Sequence, residues 1–171
     1  MEYIDLGLSV KWATCNVGAD SPEEYGNYYA WGETKPKLSY SEENYTYKKN
    51  PETLSFIRDV ASVKMGRNWR MPTVEELQEL IDECTWTWTT LNDVNGYNVE
   101  GPNGNAIFLP AAGYRYDSDL SRAGSYGGYW SNSLSTSYSG SAYDLFFSSG
   151  GVYWYSNSRY CGRSVRGVFS E

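Results

Sequence analysis

The sequence predicts an α+β domain with a strand-rich C-terminal half. Two observations carry this: a well-capped amphipathic helix begins at Thr73, and beyond it the apolar period shortens from 3.6 residues to two. At 171 residues the chain has single-domain length. Residues 1–171 therefore read as one domain, able to bury about 70% of its unfolded surface without a metal or a disulfide.

The elements follow in chain order. Ile4 to Ala13 has strand character interrupted by Gly7, and Tyr25 to Tyr47 is aromatic, irregular and punctuated by Gly and Pro. Asn50 followed by Pro51 predicts a helix start, because Asn caps well and Pro suits the first turn; Leu54, Ile57 and Ala61 then fall at helical spacing. In the second helix Thr73 caps and Glu76 answers it as a capping box. Leu77, Leu80, Ile81 and Cys84 form its apolar stripe, with Glu75, Glu79, Asp82 and Glu83 facing water. Thr85-Trp86-Thr87-Trp88-Thr89 alternates hydroxyl and indole, as a half-buried strand does. Asn103-Gly104 predicts a hairpin turn into Ala106–Leu109. Short strands continue over Tyr129–Leu134, Ala142–Phe147, Val152–Tyr155 after a Gly150-Gly151 turn, and Ser164–Phe169.

Composition removes several functions. Histidine is absent, which excludes Ser-His-Asp and Cys-His nucleophile systems and imidazole metal sites. A formal charge of −7 without a clustered basic face argues against nucleic acid. No apolar run approaches the roughly 18 residues that span a bilayer, so no membrane insertion is expected. The opening MEYIDLGLS has no basic and long apolar leader pattern, so the chain is expected to carry no signal peptide. Cys15, Cys84 and Cys161 lack metal or redox spacing; they read as free thiols, or as one disulfide plus one free thiol.

The unusual stretch runs from Ser125 to Tyr160. Ser, Tyr, Gly, Asn and Asp make up 26 of its 36 residues, which alone would suggest a flexible segment. Trp130, Leu134, Ala142, Leu145, Phe147, Val152 and Trp154 recur through it at strand-like intervals, which predicts order instead. Tyr supplies large, rigid, amphipathic contacts while Ser, Gly and Asn adapt around them, a composition suited to a binding face. The competing account is that these tyrosines pack a β-rich half. Between Ser125 and Ser158 the only charge is Asp144, so the face offers no acid–base pair. Asp144 would steer at most one cationic group, and binding would depend little on salt.

Longer motifs carry a family resemblance: Asp5 to Gly18 (DLGLSVKWATCNVG), Tyr29 to Lys35 (YAWGETK), Trp69 to Thr73 (WRMPT), Cys84 to Trp88 (CTWTW), Asn103 to Arg115 (NGNAIFLPAAGYR), Tyr129 to Ser131 and Gly162 to Arg166. Together they resemble a group of gut Bacteroidetes proteins in the C-type lectin-like superfamily, on the branch shared with formylglycine-generating enzyme. Many of that group resemble variable proteins of diversity-generating retroelements, whose C-terminal segment is rewritten by adenine-directed mutagenesis. The resemblance implies a C-type lectin-like fold of two helices and short antiparallel strands, with a diversified segment over residues 125–166. Its implied framework is Trp130, Ala142, Leu145, Phe147 and Val152. The implied variable, ligand-binding positions are Asn132, Tyr138, Ser139, Tyr143, Asp144, Phe146, Tyr153, Tyr155, Asn157, Tyr160 and Arg163. The copper-binding cysteine pair of formylglycine-generating enzymes and the iron-binding histidines of sulfoxide synthases have no counterpart, because Cys161 has no near neighbour and histidine is absent. The calcium-dependent sugar motifs of animal lectins are also missing, Trp130-Ser-Asn132 being only an echo of one.

The sequence therefore predicts a non-enzymatic binding domain with a diversified face and no cofactor. Its ligand is expected to be a protein or glycan, for instance on a bacterial cell surface. The domain itself is expected at a cell surface, outside the cell or on a phage particle, as part of a longer protein. A non-diversified adhesive or structural surface domain is the alternative, and an enzyme the third reading.

Overall fold

The computed structural model describes residues 1–171. The chain runs through β1 (Tyr3–Ile4), β2 (Lys11–Ala13), α1 (Val60–Met65), β3 (Trp69–Arg70), α2 (Val74–Glu83), β4 (Thr85–Leu91), β5 (Val94–Glu100), β6 (Ala106–Pro110), β7 (Tyr114–Tyr116), β8 (Asp119–Ser121), β9 (Gly127–Leu134), β10 (Ser141–Ser148), β11 (Gly151–Ser158) and β12 (Val168–Phe169). This is α+β with two helices and four small sheets, ordered β1-β2-β12-β3, β4-β5-β6, β7-β8 and β11-β10-β9. All pairs within these sheets are antiparallel.

The capping box on α2 is present in full: Thr73 Oγ1 accepts from Glu76 N at 3.1 Å and Glu76 Oε1 accepts from Thr73 N at 2.9 Å. Glu76 also holds Arg70 through two bonds of 2.6 and 2.7 Å, which ties the preceding Arg-Met-Pro-Thr turn to the helix. Leu77 and Leu80 are buried beneath it. The first helix departs from expectation. It begins at Val60 with Asp59 as its cap, accepting from Ser62 N, and Ile57 is exposed. Asp59 is fixed there because its carboxylate also receives Met71 N, at 2.8 Å, a partner remote in sequence. Asn50 instead accepts from Arg159 Nη1 at 2.7 Å.

The Thr/Trp strand β4 turns through Asn92 and Asp93, both at positive φ, into β5, which the sequence reading did not include. The expected strand at Ser164–Phe169 shortens to β12, because Arg163 and Ser164 make single bridges to Tyr29 and Tyr129 instead. Likewise Ile4–Ala13 is two paired strands, with Gly7 at φ +82° in the loop between them.

The β9–β11 sheet separates two apolar clusters. Tyr129, Leu145 and Phe147 belong to one, with Leu77, Leu80, Tyr97 and Val99. Trp130 and Ala142 belong to the other, with Trp31, Tyr40, Tyr45 and Tyr47. The aromatic segment Tyr25–Tyr47 thus supplies much of a core. All three cysteines are free, Cys15 and Cys161 buried and Cys84 half-buried.

Candidate functional site

Strand alternation divides the Tyr-rich segment between the two faces of the β9–β11 sheet. On β10, Tyr143, Leu145 and Phe147 point toward α2, opposite Ser156, Trp154 and Val152 of β11. Trp154 stacks edge-on against Tyr143, 5.4 Å between centroids, and donates its indole N–H to Gln78 on α2. The other face presents Asp144 and Phe146, paired with Tyr155 and Tyr153, while Asn157 lies opposite Ala142. Tyr126, Phe146, Tyr155 and Tyr153 form a continuous aromatic ridge there, with successive centroids 5.3, 6.2 and 5.8 Å apart. Tyr153 and Tyr155 are each 50% exposed, a large apolar contact held open on a hydrogen-bonded strand.

Beside the ridge is a cleft of about 370 Å³ lined by Tyr114, Arg122, Tyr126, Phe146, Asn157, Ser158, Cys161 and Arg163. Ser158 also belongs to a neighbouring cleft that includes Tyr138, Ser139 and Tyr160. Six of the eleven predicted positions, Asp144, Phe146, Tyr153, Tyr155, Asn157 and Arg163, therefore share one sheet face or its cleft. Tyr138, Ser139 and Tyr160 rim the adjoining one.

Two predicted positions sit elsewhere. Tyr143 points to the α2 side, its hydroxyl 2.7 Å from Thr136 Oγ1. Asn132 is buried at 3% exposure: β9 bulges between Trp130 and Leu134, and Asn132 exchanges backbone bonds with Pro72 and Leu54. The bulge removes it from the strand alternation that brings Phe146, Tyr153 and Tyr155 to one face. The framework residues Trp130, Ala142, Leu145 and Phe147 are fully buried, whereas Val152 is half-buried.

Asp144 requires correction as an exposed steering charge. It is fully buried, its Oδ1 accepts from Asn157 Nδ2 at 2.8 Å, and its Oδ2 lies 3.1 Å from Arg163 Nη1. Burial pushes its carboxyl up to about 6, against the opposing pull of Arg163. Arg163 crosses Trp130 and Tyr114, 5.4 and 5.3 Å from their centroids. Gly128 makes room for it, since a Cβ there would lie 2.4 Å from Nη1. Tyr114, Arg122 and Tyr126 are site residues that the sequence reading did not select. Tyr126 lay within the biased segment; the other two precede it and had no such signal.

A cleft of about 480 Å³ lies elsewhere and includes Asn132 with Asp59, Arg67 and Arg70. Asp59 and Arg70 are already committed to Met71 N and Glu76, so these two charges serve the turn between α1 and α2.

The family model described as the Lcl C-terminal domain matches residues 3–168. Neither a curated protein nor a solved structure matches the chain significantly.

Proposed function

The chain belongs to the Lcl C-terminal domain family, matched over residues 3–168, and on that premise we propose that it is a ligand-binding domain whose recognition face is the ridge and clefts beside β10 and β11. Family membership supports the reading as a variable protein of a diversity-generating retroelement. The observation that carries the proposal is the pairing of exposed Tyr153 and Tyr155 with buried Trp130, Leu145 and Phe147 on the same three strands. Such a sheet can change its contacts without losing its packing. The gut Bacteroidetes origin, the C-type lectin-like fold, the branch shared with formylglycine-generating enzyme and a surface or phage location belong to this same proposal.

The domain binds rather than catalyses. Burial pushes the Cys84 thiol up to about 11 and raises that of Cys161, so neither supplies a thiolate near neutral pH. No histidine is available as a base. The ligand is a protein or glycan presented on a cell surface.

The test is a selection with two copies of the scaffold that are identical outside Tyr138, Ser139, Phe146, Tyr153, Tyr155, Asn157 and Tyr160. Both are panned against bacterial surface proteins and glycans. Different enriched partners are expected. The same partner for both copies would place recognition elsewhere, and a template repeat matching the coding region of residues 125–166 except at adenines would establish the diversification itself.

A further inference from the structure

Three arginines are at least 95% buried, and they differ in how their donors are used. Arg159 makes five hydrogen bonds, to Tyr45 Oη, Asn50 Oδ1 and the carbonyls of Ser139, Tyr47 and Lys49. Arg166 bonds Asn16 Oδ1 and the carbonyls of Ala13 and Phe108. Arg163 makes none: its Nε and Nη1 are buried without a hydrogen-bond partner, and its 3.1 Å approach to Asp144 Oδ2 is an ion pair not aligned for one. Buried donors left unpaired are costly, and this guanidinium lines the aromatic cleft. Arg122 lines the same cleft, makes no ion pair, and lies 5.3 Å from the Tyr126 ring centroid. No carboxylate lines the cleft, although the chain as a whole is acidic.

We propose that this cleft is a carboxylate subsite for an acidic peptide segment: the carboxylate binds between Arg163 and Arg122, and an adjoining apolar side chain rests on Phe146 and Tyr126. This rests on the ligand-binding reading and names its ligand class. A guanidinium donates two parallel bonds to a carboxylate, the strongest form of such contact, and ring walls strengthen it by excluding water. A sugar fits less well. A neutral sugar brings no anion to the two guanidiniums, whereas a carboxylate uses their charge as well as their donors.

The probes are the capped peptide acetyl-Leu-Glu-Tyr-amide, its Gln counterpart, and glucuronate. Each is titrated into the intact domain while the Arg163 Nε resonance is followed by NMR. The Glu peptide should shift that resonance and bind about tenfold tighter than the Gln peptide. Arg122→Gln should remove most of that ratio. Asp144→Asn, which deletes the internal competitor for Arg163, should increase it; if that variant does not fold, Arg122→Gln and the peptide pair still decide.

Equal binding of the Glu and Gln peptides, or no Arg163 shift, overturns the subsite. Glucuronate binding as tightly as the Glu peptide overturns the peptide assignment. Neither result touches the ligand-binding face itself, which fails if two scaffold copies enrich the same partner or if serine at Tyr138, Tyr153 and Tyr155 leaves binding to a selected partner intact.

Discussion

Arg159 joins the end of β11 to the aromatic segment, since its acceptors Tyr45, Tyr47, Lys49 and Asn50 all lie before α1. Arg159→Met would take its donors from the buried Tyr45 hydroxyl and Tyr47 carbonyl and should lower stability by about 3 kcal/mol in urea denaturation, as losing one side of a buried network does. Asp144 makes a prediction of opposite sign to the usual carboxylate. Its folded value, about 6, lies above the reference 3.8, so the folded state holds the proton more tightly than the unfolded chain. The stability this proton confers is present below the unfolded value and is lost as pH rises through the folded one. Relative to Asp144→Asn, which cannot titrate, the wild type should lose up to about 3 kcal/mol between about pH 4 and about pH 7. A stability difference independent of pH would contradict this assignment.

At the scale of elements, local signals were legible and long-range ones were not. Thr73 and Glu76 are three residues apart and their capping box reads directly from the sequence; Thr73→Ala should cost about 1 kcal/mol by thermal melting. Asp59 could not be read in the same way, because what fixes it as the cap of α1 is Met71 N, delivered by β3 and the turn after it. Asp59→Ala should therefore destabilise by about 2 kcal/mol. Pro51→Ala, at the helix start expected from sequence, should change little. The candidate site divides similarly. Simple alternation along β10 and β11 brings Phe146, Tyr153, Tyr155 and Asn157 together, and a period of two predicts this. The β9 bulge that turns Asn132 inward, and the burial of Asp144 beneath Arg163, depend on partners brought in by folding.

At the scale of the whole molecule, one three-stranded sheet stands between two apolar clusters and still leaves part of itself uncovered. Its inner residues bind the clusters together, while Tyr153 and Tyr155 on β11 and Tyr138 before β10 remain half or more exposed. Phe147, fully buried and packed 5.1 Å from Tyr97, should cost about 3 to 5 kcal/mol when replaced by Ala, as should Trp130. The separation of scaffold from face is tested most directly by one variant carrying serine at Tyr138, Tyr153 and Tyr155, compared with Trp130→Ala for thermal melting and for binding to a partner selected by panning. The triple variant should melt within a few degrees of wild type, at under about 1 kcal/mol per substitution, and lose the partner. A triple variant that melts as low as Trp130→Ala, or that keeps the partner, would contradict the account.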